Sequence, residues 1–400
     1  MIDRLFINAV DLHGTTTHLA VHGGRFVAIS RQRPEVDAAE LIDLQGNLVL
    51  PGFVDGHIHL DKSFVGDGWR SHVPTDSLRE RLAIEKQLLA DARPITERVN
   101  ALIEQAVAFG TMAMRCHVDV DGTTGLTNLH AVVAGKERWR DLVDIEIVAF
   151  PQAGVMSCKG TAEFLEAALG EGADVVGGID PTTLDGAAQA QLDLIFGLAE
   201  KHQAKLDIHL HEPGQQGITQ LLSIAQRTQE LGMSGRVAVS HAYALGEVPL
   251  DVVDSTAAAL AGAGVSIMTN APGDRPFPPV RRLRAAGVRM FAGNDNIRDA
   301  WWPYGNGDIL QRAMLIGYRS GFYTDQELLI ALDMITAAAA GVIGKDDYGL
   351  AVGNEASFIV LNAHNGAEAV AGAPADRLIV RRGEFWRPSS PWIGAQSQRA

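Results

Sequence analysis

Cysteine, positive charge and long apolar runs are all scarce in this chain of 400 residues. Its two cysteines, Cys116 and Cys158, form no CxxC pair, which favours free thiols in a reducing compartment over a disulfide framework. The formal net charge is −14 and no lysine- and arginine-rich run occurs, which argues against a nucleic-acid-binding surface. No run of about 18 apolar residues could span a membrane, and the first residues do not resemble a signal peptide. We therefore predict a cytoplasmic protein that binds neither nucleic acids nor membranes.

The composition is that of a chain with a large folded core. Hydrophobic residues make up 46% and charged residues 20%, as is usual for a soluble enzyme. Eight apolar runs in the middle of the chain have the length of buried strands. They are Phe53–His59, Thr111–Val118, Asp144–Phe150, Ala173–Ile179, Lys205–His211, Arg236–His241, Val265–Asn270 and Val288–Asp295. Helical patterns lie between them, for example at Ile95–Phe109, Thr161–Leu169, Ala187–His202 and Ile218–Glu230.

Eight strand–helix units over about 300 residues predict a (β/α)8 barrel of the TIM type, which we assign to residues 51–349. A doubly wound open sheet is the competing fold, but no G-x-G-x-x-G motif follows the first strand. Both ends of the chain contain shorter alternating runs separated by glycine-containing breaks, which favour antiparallel strands. We therefore predict a second, discontinuous β-sandwich domain that combines residues 1–50 and 350–400.

The first predicted barrel strand carries two histidines near its end. His57 and His59 are two residues apart, so in a strand they project from the same face and can bind one metal ion. A polar stripe on an exposed strand is the alternative interpretation. It is weaker here because Phe53, Val54 and Ile58 leave little room for a solvated face.

Three later strands also end in polar residues. His209, His211 and Glu212 close the fifth strand, His241 closes the sixth and Asp295 closes the eighth. Singly, His241 could be a hydrogen-bonded core residue and Asp295 a helix cap. Because active sites of such barrels form at the carboxyl ends of the strands, the four strand ends together predict a catalytic metal site.

Seven motifs give the chain a resemblance to the amidohydrolase superfamily, and within it to the cytosine deaminase branch. The chain is also similar to the N-isopropylammelide isopropylaminohydrolases. The motifs extend through the whole predicted barrel and are PGFVDGHIHLDK, RCHVDVD, VAFPQAG, DVVGGIDP, DIHLHE, VSHA and NDNIRDAWWPYGNGD.

This resemblance implies one divalent metal ion, zinc or iron, held by His57, His59, His209 and Asp295. Hydrolytic deamination needs hydroxide at neutral pH, and a divalent metal lowers the pKa of bound water to about 7. Asp295 would take the proton of this water, and His241 would orient it. Glu212 would carry protons to the ring nitrogen and the leaving amine. The alternative for Glu212 is a carboxylate in the first turn of a helix.

The resemblance also implies a set of substrate contacts. Gln152 would hydrogen-bond the amide-like edge of the ring, and Trp301 would stack on a flat heterocycle. A loop amide that satisfies the backbone is the alternative for Gln152. Asp180 would orient a ligand or form a turn before a proline. His211 and Asn296 stand where cytosine deaminases carry aspartates, which leaves the substrate ring undecided.

The fourth predicted strand reads DVVGGID and lacks a lysine. Many amidohydrolases that open cyclic amides bridge two metals with a carboxylated lysine at this place, so the resemblance disfavours a binuclear site. We predict a hydrolytic deaminase that releases ammonia from a C–NH2 group next to a ring nitrogen. The alternatives are an aminotriazine hydrolase that releases an alkylamine, and a cyclic amidase. A non-enzymatic descendant is disfavoured because the predicted catalytic residues are all present, and a homo-oligomer is an open expectation.

Overall fold

The computed structural model describes residues 1–75, 78–273 and 275–387, and these residues form two sheets. The strands are β1 (Ile2–Val10), β2 (Thr16–His22), β3 (Arg25–Ser30), β4 (Ala38–Asp43), β5 (Leu48–Pro51), β6 (Phe53–Ile58), β7 (Thr111–Asp119), β8 (Asp144–Phe150), β9 (Val175–Ile179), β10 (Lys205–Leu210), β11 (Val237–His241), β12 (Ser266–Thr269), β13 (Met290–Ala292), β14 (Phe358–Leu361), β15 (Arg377–Arg381) and β16 (Glu384–Trp386).

The helices follow the predicted alternation with the strands. They are α1 (Leu78–Ala90), α2 (Ile95–Ala108), α3 (Thr127–Trp139), α4 (Thr161–Gly170), α5 (Ala188–His202), α6 (Gly214–Glu230), α7 (Leu250–Ala263), α8 (Val280–Ala285), α9 (Ile309–Arg319), α10 (Asp325–Met334), α11 (Ala337–Ile343) and α12 (Gly366–Gly372). The segment between β6 and β7 holds two helices, α1 and α2, where the sequence pattern predicted one.

One sheet is built from both ends of the chain, in the order β16-β15-β14-β5-β1-β2-β3, with β4 beside β1. Its pairings are mostly antiparallel, whereas β4 and β5 run parallel to β1. The inward faces bury an aromatic cluster in which Phe6 meets Phe358 edge-on, with ring centroids 5.1 Å apart, and Phe26 lies 5.9 Å from Phe358. This packing explains why the terminal runs alternate between apolar and polar residues.

The other sheet is the barrel, in which β6 to β13 pair in chain order. The backbone N–H of Asp295 donates to the carbonyl of His57 at 2.7 Å, which brings the chain after β13 beside β6. Gly293 allows this approach, because a Cβ atom there would lie within 2.5 Å of the His57 backbone. The predicted fold is confirmed: eight parallel strands alternate with helices, and the termini supply a second sheet.

The described residues divide into two compact units. One contains Met1–Val54, Glu104–Ala113 and the chain from Gly307 onward, and the other contains Asp55–Ile103 and Met114–Asn306. The domain boundaries drawn from the sequence, at residues 51 and 349, stay a prediction, and residues 388–400 lie outside the described part.

One segment, Asp325–Ile343, is by length and composition apolar enough to cross a membrane. It consists of α10 and α11, and half of its apolar window is buried inside the protein. Because α10 packs against α9 and α12, the segment belongs to the folded core, where apolar composition is expected.

Replacing Asp308 with alanine is expected to lower the free energy of unfolding by about 3–5 kcal/mol. Asp308 caps α9 and forms two hydrogen bonds, of 2.7 and 2.8 Å, with the guanidinium of Arg377, and both side chains are fully buried. The change would leave the buried Arg377 charge unpaired. Urea denaturation measures the loss. A loss below about 1 kcal/mol, within the range of an exposed pair, would contradict this role.

Candidate active site and metal centre

The polar residues predicted from the strand ends come together at one end of the barrel. His57 lies in β6 and His209 in β10, while His241 ends β11 and Asp295 follows β13. All four are at most 8% exposed. His241 and Asp295 also have left-handed backbone angles, with φ of 75° and 62°. Non-glycine residues rarely adopt this strained conformation, and its occurrence at both positions is typical of a functional site.

Three ligand atoms form the centre of this cluster. The distances between His57 Nε2, His59 Nε2 and Asp295 Oδ1 are all 3.4 Å. Atoms bound to one tetrahedral ion at 2.0–2.1 Å are separated by about 3.4 Å, so the spacing fits a zinc-sized ion. His209 joins the cluster through a second group of nitrogens, shared with His57 and His241, that lie within 4.8 Å of one another.

Hydrogen bonds fix which nitrogen of each imidazole faces the cluster. Nδ1 of His57 donates to Ser240 Oγ at 2.9 Å, since the Ser240 hydroxyl itself donates to Asp207 at 2.7 Å. Nδ1 of His59 lies 3.1 Å from the carbonyl of His117, to which it donates. Both Nε2 atoms therefore present lone pairs to the carboxylate of Asp295. Three acceptors facing one another without a proton between them create a site for a cation.

His209 provides independent support for a metal site. Its side chain is 3% exposed, and neither ring nitrogen has a hydrogen-bond partner within the described part of the chain. Its ring stacks on Phe150 with centroids 4.0 Å apart and lies 4.6 Å from the His57 ring. A buried imidazole without a partner carries a cost that a bound ion removes.

Burial keeps the imidazoles of His59, His209 and His241 neutral, which is the form that binds metal ions. Desolvation, reinforced by the nearby Lys62 ammonium, lowers the pKa of His59 to about 4. Burial also holds the pKa values of His209 and His241 well below that of a free imidazole, and the neighbouring imidazoles act in the same direction.

Buried hydrogen-bonding groups around the cluster hold the candidate ligands in place. Asp207, which accepts the hydrogen bond of the Ser240 hydroxyl, pairs with the buried guanidinium of Arg115 at 2.8 Å. On the other side of the cluster, Asn270 donates to Asp295 Oδ2 at 2.7 Å, which leaves Oδ1 directed at the two histidines. Such outer contacts fix ring orientation and tune the affinity of a metal site.

His211 and Asp180 form a hydrogen-bonded pair beside the cluster. Asp180 accepts from His211 Nδ1 at 2.8 Å and from its backbone N–H at 2.6 Å. The His211 ring stacks on His241 with centroids 4.5 Å apart. Burial alone would lower the pKa of His211, but the charge and hydrogen bond of Asp180 raise it above its ordinary value.

Glu212 is held by the loop that follows β9. Its Oε1 accepts from the backbone N–H groups of Thr182 at 2.6 Å and Thr183 at 2.7 Å. Its Oε2 is buried and has no hydrogen-bond partner among the described residues. One oxygen thus anchors the side chain while the other is available, so an acid/base role and a structural role are served by different atoms of the same carboxylate.

Gln152 follows β8 and is 8% exposed. Its Oε1 accepts a hydrogen bond of 2.5 Å from Lys62, whose ammonium also pairs with Asp119 at 2.8 Å. Lys62 lies 5.2 Å from the centre of the Phe150 ring, and this ring stacks on His209. Gln152 and Lys62 therefore stand next to the histidine cluster. Because the Gln152 oxygen already accepts from Lys62, the side-chain N–H groups of Gln152 are the ones that can bind a ligand.

Asn296 and Trp301 lie in the segment after β13. Asn296 donates to Asp299 at 2.5 Å, and the backbone N–H of Trp301 donates to Asp299 at 2.8 Å. The Trp301 ring is 6.0 Å from the Lys62 ammonium. Both residues are partly buried.

The sequence model of the amidohydrolase family matches residues 70–382 of this chain. N-isopropylammelide isopropyl amidohydrolase of Pseudomonas sp. (strain ADP) is 33% identical over 375 residues, which cover 92% of each chain. The chain belongs to the amidohydrolase family. The crystal structure of N-isopropylammelide isopropylaminohydrolase from Burkholderia multivorans ATCC 17616 matches with a TM-score of 0.91 at 38% identity, covering 96% of this chain and 98% of that one.

A second solved amidohydrolase-like structure, 5-methylcytosine deaminase from Klebsiella pneumoniae, matches with a TM-score of 0.86 at 28% identity, over 96% of this chain and 98% of that one. The predicted membership of the amidohydrolase superfamily is thus confirmed, with both named similarities. So is the prediction that the chain is a hydrolase of carbon–nitrogen bonds other than peptide bonds. The roles of the individual site residues stay predictions.

Two features of this amidohydrolase site were missed by sequence reasoning. The first is the pairing of Lys62 with Asp119 and Gln152, although Lys62 stands inside the first motif and a lysine so close to two candidate ligands was a usable signal. The second is Glu85 of α1, whose carboxylate accepts a hydrogen bond of 2.6 Å from the indole N–H of Trp301. No sequence pattern marks this glutamate, because it lies in an otherwise polar helix.

Proposed function

We propose that this chain is a metal-dependent aminohydrolase that replaces an amino group on a nitrogen heterocycle with oxygen. The observation that carries the proposal is the set of three acceptor atoms, on His57, His59 and Asp295, that face one another at 3.4 Å. The names of the similar proteins, an isopropylaminohydrolase and a 5-methylcytosine deaminase, support an amine as the leaving group and a flat heterocycle as the substrate.

The metal would be one divalent ion, zinc or iron, because three imidazoles and a carboxylate suit either. Its ligands would be His57, His59, His209 and Asp295. When bound, such an ion lowers the pKa of a water molecule to about 7 and so makes hydroxide available at neutral pH.

The protein's own groups then move the protons. His241, whose Nδ1 lies 3.2 Å from the Tyr243 hydroxyl, orients the water, and Asp295 accepts its proton. The carboxyl of Glu212, protonated on its free Oε2, gives this proton to the ring nitrogen as oxygen adds to the neighbouring carbon. Glu212 then takes the proton of the new C–OH group and passes it to the amine, so that the C–N bond breaks, the ring becomes an oxo compound and the neutral amine leaves. The proton that Asp295 took from the water returns to Glu212 and restores the starting state.

The substrate edge opposite the metal would be read by Gln152 and Lys62. Because Oε1 of Gln152 already accepts from Lys62, its Nε2 can only donate, and the Lys62 ammonium can only donate. Gln152 and Lys62, which together form one wall of the pocket, therefore favour a ring that presents oxygen or unprotonated nitrogen to them. Trp301 would stack on the ring face.

Release of an alkylamine, rather than ammonia, is the second candidate. His211 and Asn296 stand where cytosine deaminases carry aspartates, so the chain departs from that branch at two positions, and both residues lie at this site. His211, held by Asp180 and stacked on His241, would contact the leaving amine. We further propose a cytoplasmic enzyme whose partner is a small heterocyclic substrate. A homo-oligomer stays a prediction.

A substrate panel tests the proposal. The protein, supplied with zinc or ferrous ion, is incubated with aminopyrimidines, aminotriazines, their N-isopropyl derivatives and creatinine. A coupled assay follows ammonia, and chromatography follows alkylamines. We expect amine release from one ring class, lost on treatment with a chelator and restored by the metal. Ring-opened products without free amine would contradict the proposal and favour a cyclic amidase.

A further inference from the structure

Helix α1 buries the wrong kind of residue for an ordinary surface helix. Among its described side chains, those of residues 80–90, Glu85 alone is buried, at 3% exposure. The apolar side chains of Ile84, Leu88 and Leu89 are only partly buried. Surface helices normally bury an apolar stripe, and a glutamate is almost never fully buried unless it is paired. A buried Glu85 therefore requires a hydrogen-bond or charge partner.

That partner is Trp301, whose ring lies 6.0 Å from the Lys62 ammonium. Oε1 of Glu85 accepts from the indole N–H of Trp301 at 2.6 Å. Arg81, one turn earlier in α1, places its guanidinium carbon 5.7 Å from the centre of the Trp301 ring and donates to the Trp301 carbonyl at 3.2 Å. The helix thus holds the indole by its edge and covers it from one face.

Glu85 also contributes to the charge of the pocket wall. Burial alone would lower the pKa of Lys62, but the carboxylates of Asp119 and Glu85 raise it above its ordinary value. Lys62 in turn donates to Gln152 and lies 6.0 Å from the Trp301 ring. The carboxylate that holds the indole of Trp301 therefore also favours the charged form of Lys62.

We propose that Glu85 is a positioning residue for substrate binding: it fixes the indole plane of Trp301. Through Glu85, α1, the extra helix between β6 and α2, sets the geometry of the ring-binding wall. This inference rests on the proposed function, since it takes Trp301 as the surface on which the substrate ring stacks.

A double-mutant cycle tests the coupling. Trp301→Phe keeps an aromatic face but removes the N–H that Glu85 holds, and Glu85→Leu removes the acceptor. Each single change is expected to raise KM by about tenfold with kcat changed less than threefold, because a hydrogen bond to a charged group is lost in each. The KM of the double variant should be no higher than the KM of the more impaired single variant. Additive losses, or a fall in kcat with KM unchanged, would overturn the proposal.

Two further variants separate positioning from folding. Glu85→Gln retains an oxygen acceptor, so its KM should lie much closer to that of the parent protein than to that of Glu85→Leu. Gln87→Leu makes a polar-to-leucine change on the exposed side of the same helix and should match the parent protein. If Gln87→Leu is as harmful as Glu85→Leu, the effect belongs to the helix as a whole, and the proposal is wrong.

A spectroscopic readout distinguishes failure of this proposal from failure of the proposed function. The indole N–H resonance of Trp301, identified by its loss in Trp301→Phe, is recorded in nitrogen-15-labelled protein. Glu85→Leu should shift this resonance toward that of an unbonded indole, and Gln87→Leu should not. An unshifted resonance would overturn the positioning role even if the enzyme is active, whereas a shift in a protein without aminohydrolase activity would count against the proposed function alone.

Discussion

Replacing Asp295 with alanine is expected to lower the rate of amine release by about four orders of magnitude and to reduce bound metal to a small fraction of one ion per chain. Asp295 supplies one of the three acceptors that are 3.4 Å apart, and it is also the proposed acceptor of the water proton. Its loss removes a ligand and a base at once. Elemental analysis after dialysis measures the metal, and the amine assay measures the rate.

Asp251→Ala is the matched control, because it removes an exposed aspartate in the first turn of α7. It should leave metal content and rate within about twofold of the parent protein. An Asp295→Ala variant that keeps one ion per chain and most of its activity would mean that the cluster is not the catalytic metal site.

Glu212→Gln is expected to lower kcat by about a factor of 10² to 10⁴ while metal content stays unchanged. The change is nearly isosteric. The side-chain oxygen of glutamine can still accept from the backbone N–H groups of Thr182 and Thr183, so the loop keeps its anchor. The amide nitrogen replaces the free Oε2 and can no longer take up or release a proton in the reaction.

Glu247→Gln makes the same change at a carboxylate that also accepts from a backbone N–H, that of Gly214, but is exposed. It should have no effect on kcat. If Glu212→Gln retains kcat within about threefold, Glu212 serves the loop alone, and the proton transfer must be reassigned, with His211 as the next residue to test.

Most of the barrel could be predicted from the sequence, because parallel strands buried on both faces are continuous apolar runs. The ends of strands were harder. The last strand was predicted as Val288–Asp295, but β13 covers Met290–Ala292. The chain leaves the ladder there because Asp55 takes both the backbone N–H of Asn294, at 3.0 Å, and its side-chain amide, at 2.7 Å. A side chain replaces a backbone partner, and no periodicity in the sequence records this.

The strand-end residues could be predicted to meet because the barrel topology brings the carboxyl ends of its strands together. The meeting of His57, His209 and Asp295 follows from their places in strands or just after a strand end. Glu85 is different. It meets Trp301 across 216 positions of sequence, from a helix that lies outside the repeating strand–helix pattern. Contacts of this kind depend on how one particular connection packs, and a single sequence carries no signal for that.

Hydrolysis in oxygen-18 water tests the central claim most directly. The metal-supplied protein is incubated with the substrate that the panel shows to be converted, and the mass of the product is determined by mass spectrometry. We expect one oxygen-18 atom at the ring carbon that lost its amine, with the ring intact and one equivalent of free amine. An opened ring that retains the amine and carries the label in a new carboxylate, or a product without label, would contradict hydrolytic amine release at the cluster of His57, His59, His209 and Asp295.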